Sequence, residues 1–413
     1  MALIVAKFGG TSVADPERIK NVAAILQAVR QNGDQVVAVV SAMSGETNRL
    51  LGFVAQMGER PSPQEADVVV STGEQVTIGL LALALQARGV PARSFTGGQV
   101  KIVTDTAHSR ARILAIDDAA LRTALAAGEI PVVAGFQGVS EGGRITTLGR
   151  GGSDTTGVAL AVALGADRCD IYTDVDGVYT TDPRIESKAT RIDKIAFEEM
   201  LEMASLGAKV LQIRSVEFAH KYGMPVRVRS TFKPEDEGSL VCPEDPSMER
   251  ALVTAIAFNR DEAKLTLQGV PDRPGIAAAI FAPIAAAGIN VDMIIQNVSD
   301  HGATDMTFTV PEADFKQAKG LLEQVAEQVG ARGVSGDTDV AKVSAVGVGM
   351  RSHTGVASHM FQVLSNEGVN IQMISTSEIK ISVVVARKYL ELAVRVLHEA
   401  FELHMPAEER TGL

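Results

Sequence analysis

Residues 3–230 alternate between short apolar runs and longer segments in which apolar residues recur every three or four positions. Short β-branched runs predict strands, and the longer period predicts amphipathic helices. The predicted strands are Leu3–Ala6, Val36–Val40, Val132–Ala134, Asp170–Thr173 and Val226–Val228; the predicted helices are Pro16–Arg30, Ala66–Ala87, Asp154–Leu164 and Phe197–Tyr222. Alternating strands and helices favour an α/β fold with a mainly parallel sheet between two helical layers.

The C-terminal part of the chain contains an internal repeat that follows a stretch rich in Pro, Glu, Asp and Gly. When Gly275 is aligned with Gly355 without gaps, Phe281 also pairs with Phe361, Asn290 with Asn370 and Met293 with Met373. Each copy predicts a small α+β unit with the order βαββαβ. The second copy runs out of strand pattern after its last helix, and Leu252–Phe258 is a strand without an obvious partner. We therefore predict that this strand completes the second copy.

Composition narrows the class of protein. A chain of 413 residues is expected to form two or three domains. The net charge of −11 argues against nucleic-acid binding. Cys169 and Cys242 lack metal-ligand spacing and are interpreted as buried or incidental thiols of a reducing cytosol. No signal peptide is apparent, and Ile78–Leu85 and Ile276–Ala287 are too short to span a membrane, so a cytoplasmic protein is expected.

Two glycine loops and a third segment suggest phosphate chemistry. Lys7 to Val13 reads KFGGTSV after a strand, so a cation and the amides of Gly9 and Gly10 meet at one spot. A surface lysine beside a structural turn is the alternative. Gly149 to Asp154 reads GRGGSD before a helix, whose N-terminus attracts anions. Asp154 also suits a simple N-cap role. Thr173 to Arg184 reads TDVDGVYTTDPR and fails the spacing of a calcium loop.

These motifs, together with SAMSGETN at Ser41 to Asn48 and STGEQ at Ser71 to Gln75, resemble the aspartate kinases of the amino-acid kinase superfamily. The repeats resemble paired ACT domains, which sense small molecules. The resemblance implies a kinase domain at 1–231, a linker at 232–250, a first ACT domain at 265–340, and a second ACT domain made of 251–264 and 341–413.

The resemblance also implies roles for individual residues. Lys7 and Asp154 are expected to be catalytic. Binding of the substrate amino acid is assigned to Ser41, Thr47, Glu74, Arg150, Gly151, Gly152 and Ser153. Binding of the nucleotide is assigned to Lys7, Gly9, Gly10, Thr173, Asp174, Tyr179, Asp182, Pro183, Arg184 and Lys209. Without the resemblance, Glu74 would be interpreted as a solvated carboxylate, and Ser41 and Thr47 as capping hydroxyls.

The implied reaction is transfer of a phosphoryl group from ATP to the β-carboxylate of L-aspartate, which leads toward lysine, threonine and methionine. A carboxylate with a pKa near 3.9 is already ionised at neutral pH, so no general base is required. Mg²⁺ is expected to arrive on the ATP phosphates, with no metal site built from side chains alone. The alternatives are a kinase for another amino-acid carboxylate and an amino-acid sensor with an inactive kinase domain.

The repeats are expected to bind effectors, with lysine and threonine as the inhibitors that the resemblance implies. In the first copy a helix N-terminus can hold the carboxylate of an amino acid, and Asp272 or Asp292 can form an ion pair with its ammonium group. The predicted effector residues are Asp272, Gly275, Ile276, Asn290, Val291, Asp292, Gln296, Asn370, Ile371, Thr376 and Ser377. Ser352 and Gln372 replace the two aspartates in the second copy, which favours an assembly role. A homo-oligomer is expected, or an α2β2 complex with a short subunit from an internal start near Met248.

Overall fold

The computed structural model describes residues 1–207, 210–245, 252–296 and 302–410. The chain forms two units. The first comprises residues 1–178, 191–205 and 209–248, and the second comprises residues 179–190, 206–208 and 249–413. The predicted kinase domain at 1–231 differs from the first unit, because residues 179–190 pack within the second unit and the first unit extends beyond residue 231.

An eight-stranded sheet forms the centre of the first unit. Its strands, from one edge to the other, are β12 (Lys194–Ala196), β14 (Ser239–Cys242), β13 (Val226–Ser230), β9 (Arg168–Thr173), β1 (Leu3–Phe8), β2 (Gln35–Val40), β6 (Ile130–Ala134) and β3 (Ala92–Phe95). Only the β13–β14 pair is antiparallel among the pairings described. The prediction of a mainly parallel sheet is confirmed. Part of the predicted linker at 232–250 is strand β14.

A smaller four-stranded sheet accompanies it in the first unit, with the order β5 (Ile113–Ile116), β4 (Ile102–Thr104), β7 (Gln137–Ser140) and β8 (Ile145–Thr147). The hydrophobic pattern did not predict this sheet. Strands of three or four residues are too short to establish an alternating pattern. The short strands β10 (Val178–Tyr179) and β11 (Arg191–Ile192) lie where the chain first passes from the first unit to the second and where it first returns.

Eight helices of the first unit lie within its described residues: α1 (Pro16–Gln31), α2 (Glu46–Gln56), α3 (Pro63–Val70), α4 (Thr72–Ala87), α5 (Ala119–Ala126), α6 (Gly152–Leu164), α7 (Phe197–Ser205) and α8 (Ile213–Tyr222). Two predicted helices are each divided. The Gln137 side chain donates to the Ser71 carbonyl at 2.9 Å, which interrupts the helical pattern between α3 and α4. Gly207, with φ of 103°, follows α7 and ends it.

The predicted absence of a membrane-length apolar stretch needs a correction. The helical run Pro63–Ala87 has 25 residues and is apolar enough, by length and composition alone, to cross a membrane. Half of its most apolar window is buried inside the protein. Leu81 and Leu85 lie in the core cluster that also contains residues of β1 and β2. A core helix passes the same test, so this feature is weak support for a membrane span.

The second unit is built on one six-stranded antiparallel sheet. Its order is β16 (Ile294–Gln296), β17 (Ala303–Pro311), β15 (Ala255–Pro271), β18 (Gly333–Val346), β20 (Lys380–Ala386) and β19 (Ile371–Thr376). Strands β15 and β18 are long and serve both repeats. Residues Ala255–Asn259 pair with Lys342–Val346, the strand that opens the second repeat, whereas the remainder of β15 also pairs with β17.

The helices of the second unit cover this sheet in two groups that correspond to the repeats. Those described are α9 (Ile276–Ala286), α10 (Phe315–Val329), α11 (Val356–Asn366) and α12 (Leu390–Ala400), with short 3₁₀ helices at Glu312–Asp314, Val348–Ser352, Arg387–Tyr389 and Ala407–Glu409. One apolar cluster joins α9 and α10 to the first repeat, and another joins α11 and α12 to the second. Each repeat thus has its own core beneath a shared sheet.

Candidate active site

Three loops of the first unit leave the same edge of the large sheet. Strand β1 lies between β2 and β9, and all three are parallel, with Lys7 opposite Val39 and Phe8 opposite Tyr172. The chain segments that follow these strands therefore begin side by side. The carboxyl edge of a parallel sheet is where α/β proteins bind their ligands.

Lys7 and Asp154 form an ion pair at this edge. Lys7 Nζ lies 2.5 Å from Asp154 Oδ1, and each side chain is only about a tenth exposed, at 10% and 11%. Gly157, one turn further along α6, makes the approach possible because a Cβ there would lie 3.1 Å from Lys7 Cβ. A buried lysine with a single carboxylate partner retains donors for a further anion. The reading of Lys7 as an exposed surface lysine is wrong.

The glycine loop after β1 differs from its predicted form in one detail. The Gly9 amide donates to the Tyr172 carbonyl at 3.1 Å, so it ties β1 to β9 instead of facing a ligand. Gly10 passes close to the next loop, since a Cβ there would lie 3.1 Å from the Ala42 carbonyl oxygen. Among the described residues, none accepts the Gly10 amide hydrogen. Gly10 is therefore the better candidate for a phosphate contact.

Glu74 is buried in the first turn of α4, with a residue exposure of 2%. Its Oε1 accepts the Ala42 amide at 3.1 Å, whereas Oε2 is buried without a hydrogen-bond partner in the part of the chain described. Burial raises the pKa of this carboxyl to about 7, although the backbone hydrogen bonds oppose the rise. A buried acceptor without a partner is costly. Glu74 is not the solvated glutamate that its residue type alone predicts.

The loop that carries Arg150 is a tight turn before α6. Gly149 and Gly151 have φ of 80° and 75°, values that favour glycine, and Gly151 is the N-cap of the helix. Asp154 therefore lies in the first helical turn, and the N-cap interpretation of this residue is wrong. Ser153 is buried beside Gly135, which follows β6. Arg150 is exposed and makes no ion pair with a described residue, so its forked guanidinium group is available to bind a carboxylate.

Ser41 and Thr47 lie on the loop and helix that follow β2. The Ser41 amide donates to the Phe8 carbonyl at 3.1 Å, which fixes the start of the loop against β1. Thr47 is in the first turn of α2, behind the N-cap Gly45. Both residues are partly exposed. Their hydroxyls are thus available at the same edge of the sheet as Lys7.

The structure divides the predicted nucleotide segment between the two units. Thr173 ends β9, and its hydroxyl donates to Asp174 at 3.0 Å in the first unit. Tyr179, Asp182, Pro183 and Arg184 belong to the second unit. There the Arg184 guanidinium binds Asp182 at 2.7 Å and holds the pKa of that carboxyl below its usual value. Lys209 lies outside the described residues.

Two residues that sequence reasoning missed hold the Arg150 loop. Asp67 of α3 is fully buried, and it accepts the Thr147 hydroxyl at 2.6 Å and lies 2.7 Å from His108 Nδ1. Arg214 of α8 donates to the Leu148 carbonyl at 2.6 Å. An aspartate inside the apolar run ADVVV was a usable signal for the first. Arg214 gave no such signal, because it lies in an ordinary amphipathic helix pattern, where a charged residue is expected to face solvent.

The predicted effector residues lie at the ends of strands and helices in the second unit. Gly275 is the N-cap of α9, with φ of 88°, and Asp272 is exposed nearby. Asp292 instead contacts Lys342, a buried lysine that also binds Glu262 at 3.0 Å. Asp292 thus already has a cationic partner, and Asp272 remains the better candidate for an effector ammonium. Ile276 is the first residue of α9, and the other predicted residues lie on the two edge strands or just before or after them in the chain: Asn290, Val291, Gln296, Asn370, Ile371, Thr376 and Ser377.

Comparison with known proteins agrees with this arrangement. The sequence pattern of the Amino acid kinase family matches residues 2–230, and two ACT domain patterns match residues 265–328 and 343–401. The aspartokinase of Pseudomonas aeruginosa is 64% identical over 411 residues, which cover 99% of this chain and 100% of the relative. The chain belongs to the aspartate kinase family.

Solved structures of aspartate kinases have the same fold. That of Escherichia coli aspartokinase III with aspartate and ADP, described as the R-state, has a TM-score of 0.80 at 32% identity and covers 96% of this chain and 99% of its own. The complex of that enzyme with lysine and aspartate, described as the T-state, has a TM-score of 0.74 at 32% identity and covers 97% and 99%. The predicted fold class, a kinase domain with two ACT domains, is confirmed.

Proposed function

We propose that this kinase transfers the γ-phosphoryl group of ATP to the β-carboxylate of L-aspartate and so forms 4-phospho-L-aspartate, as an ATP:L-aspartate 4-phosphotransferase. The observation that carries the proposal is the buried Oε2 of Glu74, which has no partner among the described residues. A substrate ammonium supplies the missing donor and restores the charge balance of a carboxylate whose pKa burial raises to about 7. The relatives' names, aspartokinase and aspartate kinase, support the choice of amino acid.

The phosphoryl group is held by groups around Lys7. The lysine ammonium, the Gly10 amide and the N-terminus of α6 provide positive charge and donors for the phosphate oxygens. Asp154 orients Lys7 from 2.5 Å. The described residues contain no group of three or more His, Cys, Asp or Glu that could hold a metal. In this proposal Mg²⁺ would be carried by the nucleotide phosphates and would supply positive charge there.

Arg150 and Glu74 orient the acceptor. The guanidinium of Arg150 binds the α-carboxylate of aspartate in two places, and Glu74 binds its ammonium. Ser41 and Thr47 supply hydroxyls, and the backbone of Gly151, Gly152 and Ser153 completes the site. Because the β-carboxylate is already ionised, these residues need only position it in line with the γ-phosphorus.

The nucleotide is assigned to a segment that both units share along the chain. Thr173, Asp174, Tyr179, Asp182, Pro183, Arg184 and Lys209 bind its adenine, ribose and outer phosphates. The ADP in the E. coli aspartokinase III complex supports ATP as the donor. In this proposal Arg184 exchanges its Asp182 partner for a phosphate, which is feasible because its side chain is 90% exposed.

Lysine and threonine inhibit the proposed enzyme through the ACT domains, and it works in the cytoplasm at the start of lysine, threonine and methionine synthesis. The lysine in the T-state complex of E. coli aspartokinase III supports the first effector. Asp272, Gly275 and Ile276 bind an effector in the first repeat, and the second repeat serves assembly. The assembly is a homo-oligomer, or α2β2 with a short subunit that starts near Met248, a residue outside those described.

The experiment measures ATP turnover by the full-length protein with L-aspartate, L-glutamate or no acceptor, and traps acyl phosphate with hydroxylamine. We expect hydroxamate with aspartate only, and less of it when lysine and threonine are added. Hydroxamate with glutamate alone would indicate a kinase of another acid, and none with either acid would indicate a sensor.

Lys7→Met tests the catalytic assignment. Loss of a charged group that binds the transferring phosphate is expected to lower kcat by at least about 100-fold. Lys20→Met is the matched control, because Lys20 is an exposed lysine paired with Glu17 on α1. Equal activity of the two variants would contradict the role of Lys7.

A further inference from the structure

The Arg150 loop is a turn that the Gly152 amide closes by donating to the Gly149 carbonyl at 2.9 Å. Arg150 itself is exposed and makes no ion pair with a described residue. The two glycines on either side of it, Gly149 and Gly151, have left-handed φ values and impose few conformational limits. The direction in which the Arg150 guanidinium leaves this turn depends on how the residues that flank the turn are held.

Arg214 contacts the loop at its first peptide. Its Nη1 donates to the Leu148 carbonyl at 2.6 Å, while its Nη2 donates to the Ala111 carbonyl at 2.9 Å. The Leu148 amide donates to the Phe136 carbonyl at 2.9 Å. Leu148 is thus held through both its amide and its carbonyl, and the planar guanidinium of Arg214 spans two carbonyls with two of its donors.

The same helix also confines the far end of the loop. A Cβ on Gly151 would lie 2.2 Å from Gln212 Cγ, so the N-terminus of α8 packs directly against the glycine after Arg150. Gly152 packs back on Leu148, because a Cβ there would lie 2.7 Å from Leu148 Cβ. The start of α8 therefore braces both ends of a short, closed turn.

Arg214 is an unusual choice for a purely structural contact. Its guanidinium makes no ion pair with a carboxylate among the described residues, and burial and the nearby Arg112 lower its pKa. A partly buried cation whose hydrogen bonds go to neutral carbonyls is costly to retain. Its position beside an anion-binding turn gives a reason to keep the charge.

We propose that Arg214 is a positioning residue that presents the Arg150 fork to the substrate carboxylate. The inference rests on the proposed function, because it requires Arg150 to bind that carboxylate. Arg214 does not touch the substrate in this proposal. It fixes the Leu148 peptide, and through it the direction in which Arg150 leaves the turn.

The test compares Arg214→Ala and Arg214→Lys with the wild-type enzyme in the hydroxamate assay. Loss of a hydrogen bond from a charged group is expected to raise KM for aspartate by about tenfold or more, with much smaller changes in kcat and in KM for ATP. Millimolar guanidinium should restore KM for aspartate in Arg214→Ala. Arg214→Lys should also show a raised KM for aspartate, because the lysine side chain lacks the fixed planar fork that spans the two carbonyls.

Arg122→Met is the matched control, since Arg122 is another helical arginine that donates to a backbone carbonyl, that of Leu164 at 3.0 Å. Its KM for aspartate should be unchanged. If Arg214→Ala does not fold, Arg214→Lys alone decides the question. Unchanged KM for aspartate, or equal losses in kcat and both KM values without guanidinium rescue, would overturn the inference. A wild-type enzyme without aspartate-dependent hydroxamate would instead refute the proposed function, and the inference with it.

Discussion

Glu74→Gln tests the buried carboxylate by removing its charge while keeping its shape. Burial raises the pKa of Glu74 from 4.5 to about 7. Between these values the folded protein holds a proton that the unfolded chain has released, so stability falls as pH rises through this window. A difference of 2.5 pKa units corresponds to about 3 kcal/mol of lost stability above pH 7. Glutamine is neutral throughout and escapes this cost.

The expected result is a variant that is more stable and less active. At pH 8 the ligand-free Glu74→Gln protein should gain up to about 3 kcal/mol, whereas near pH 4.5 it should match the wild type. The ammonium of aspartate loses its charged partner, and such hydrogen bonds contribute about 1.5–3 kcal/mol, so KM for aspartate should rise by about 10- to 150-fold. In the wild type, KM for aspartate should fall as pH rises through about 7, because Glu74 then ionises. In the variant this dependence should disappear.

The assay measures thermal unfolding by circular dichroism at pH 5 and pH 8, together with KM for aspartate across pH 6 to 8. Glu65→Gln is the control, because Glu65 is an exposed glutamate of α3 with Arg144 as its partner. Its stability and KM should not show the same pH dependence. Equal unfolding temperatures of Glu74→Gln and wild type at pH 8, combined with an unchanged KM, would refute the reasoning.

Two further predictions concern the fit around Lys7 and the buried histidine of the second unit. Gly157→Ala places a methyl group 3.1 Å from Lys7 Cβ and should lower kcat by about tenfold or more, since small displacements of catalytic groups are costly. The control is Gly79→Ala in α4, where a Cβ meets open space, and this variant should remain fully active. Equal activity of the two variants would contradict the prediction. Burial lowers the pKa of His398 to about 4, and its ring lies 2.9 Å from the Thr180 hydroxyl. The neutral imidazole therefore contributes stability that is complete above pH 6.5. As pH falls toward 4, the free energy of unfolding should decrease by up to about 3 kcal/mol. His398→Gln should therefore unfold with a weaker pH dependence between pH 4 and 7, and identical profiles would argue against it.

The contact between His398 and Thr180 is one of several that attach the segment from Tyr179 to Thr190 to the second unit. Thr180 is fully buried in the second unit, where its carbonyl accepts the Ile256 amide at 2.8 Å. The Thr190 hydroxyl donates to the Leu403 carbonyl at 2.8 Å. The segment expected to bind the nucleotide is thus anchored to the same unit as the effector residues. An effector that shifts this unit between two states would act on the nucleotide segment directly.

Local sequence signals were enough to predict the features on which the proposed function depends. Strand periodicity followed by Lys7 and two glycines, and by the Arg150 loop before a helix, predicted where phosphate and carboxylate would bind, because such turns depend on short-range backbone preferences. The spacing from Gly275 to Gly355 predicted two related folds in the same way. The turn signals come from residues that are neighbours in the chain, and the repeat comes from comparing two stretches of sequence. No tertiary information was required to recognise either.

The pairing of polar groups, in contrast, follows from how distant segments pack together. Glu74 is buried with one oxygen that has no partner in the described part of the chain, and its other oxygen accepts the Ala42 amide. The Gly9 amide donates to Tyr172, Asp292 pairs with Lys342, and Arg214 donates to the Leu148 carbonyl. Each of these results joins residues that lie far apart in the chain. Hydrophobic periodicity reports the conformation of a segment and the face that it buries. The partner that meets a polar atom on that face is set by packing between segments, and that packing decides the charge and geometry of the site.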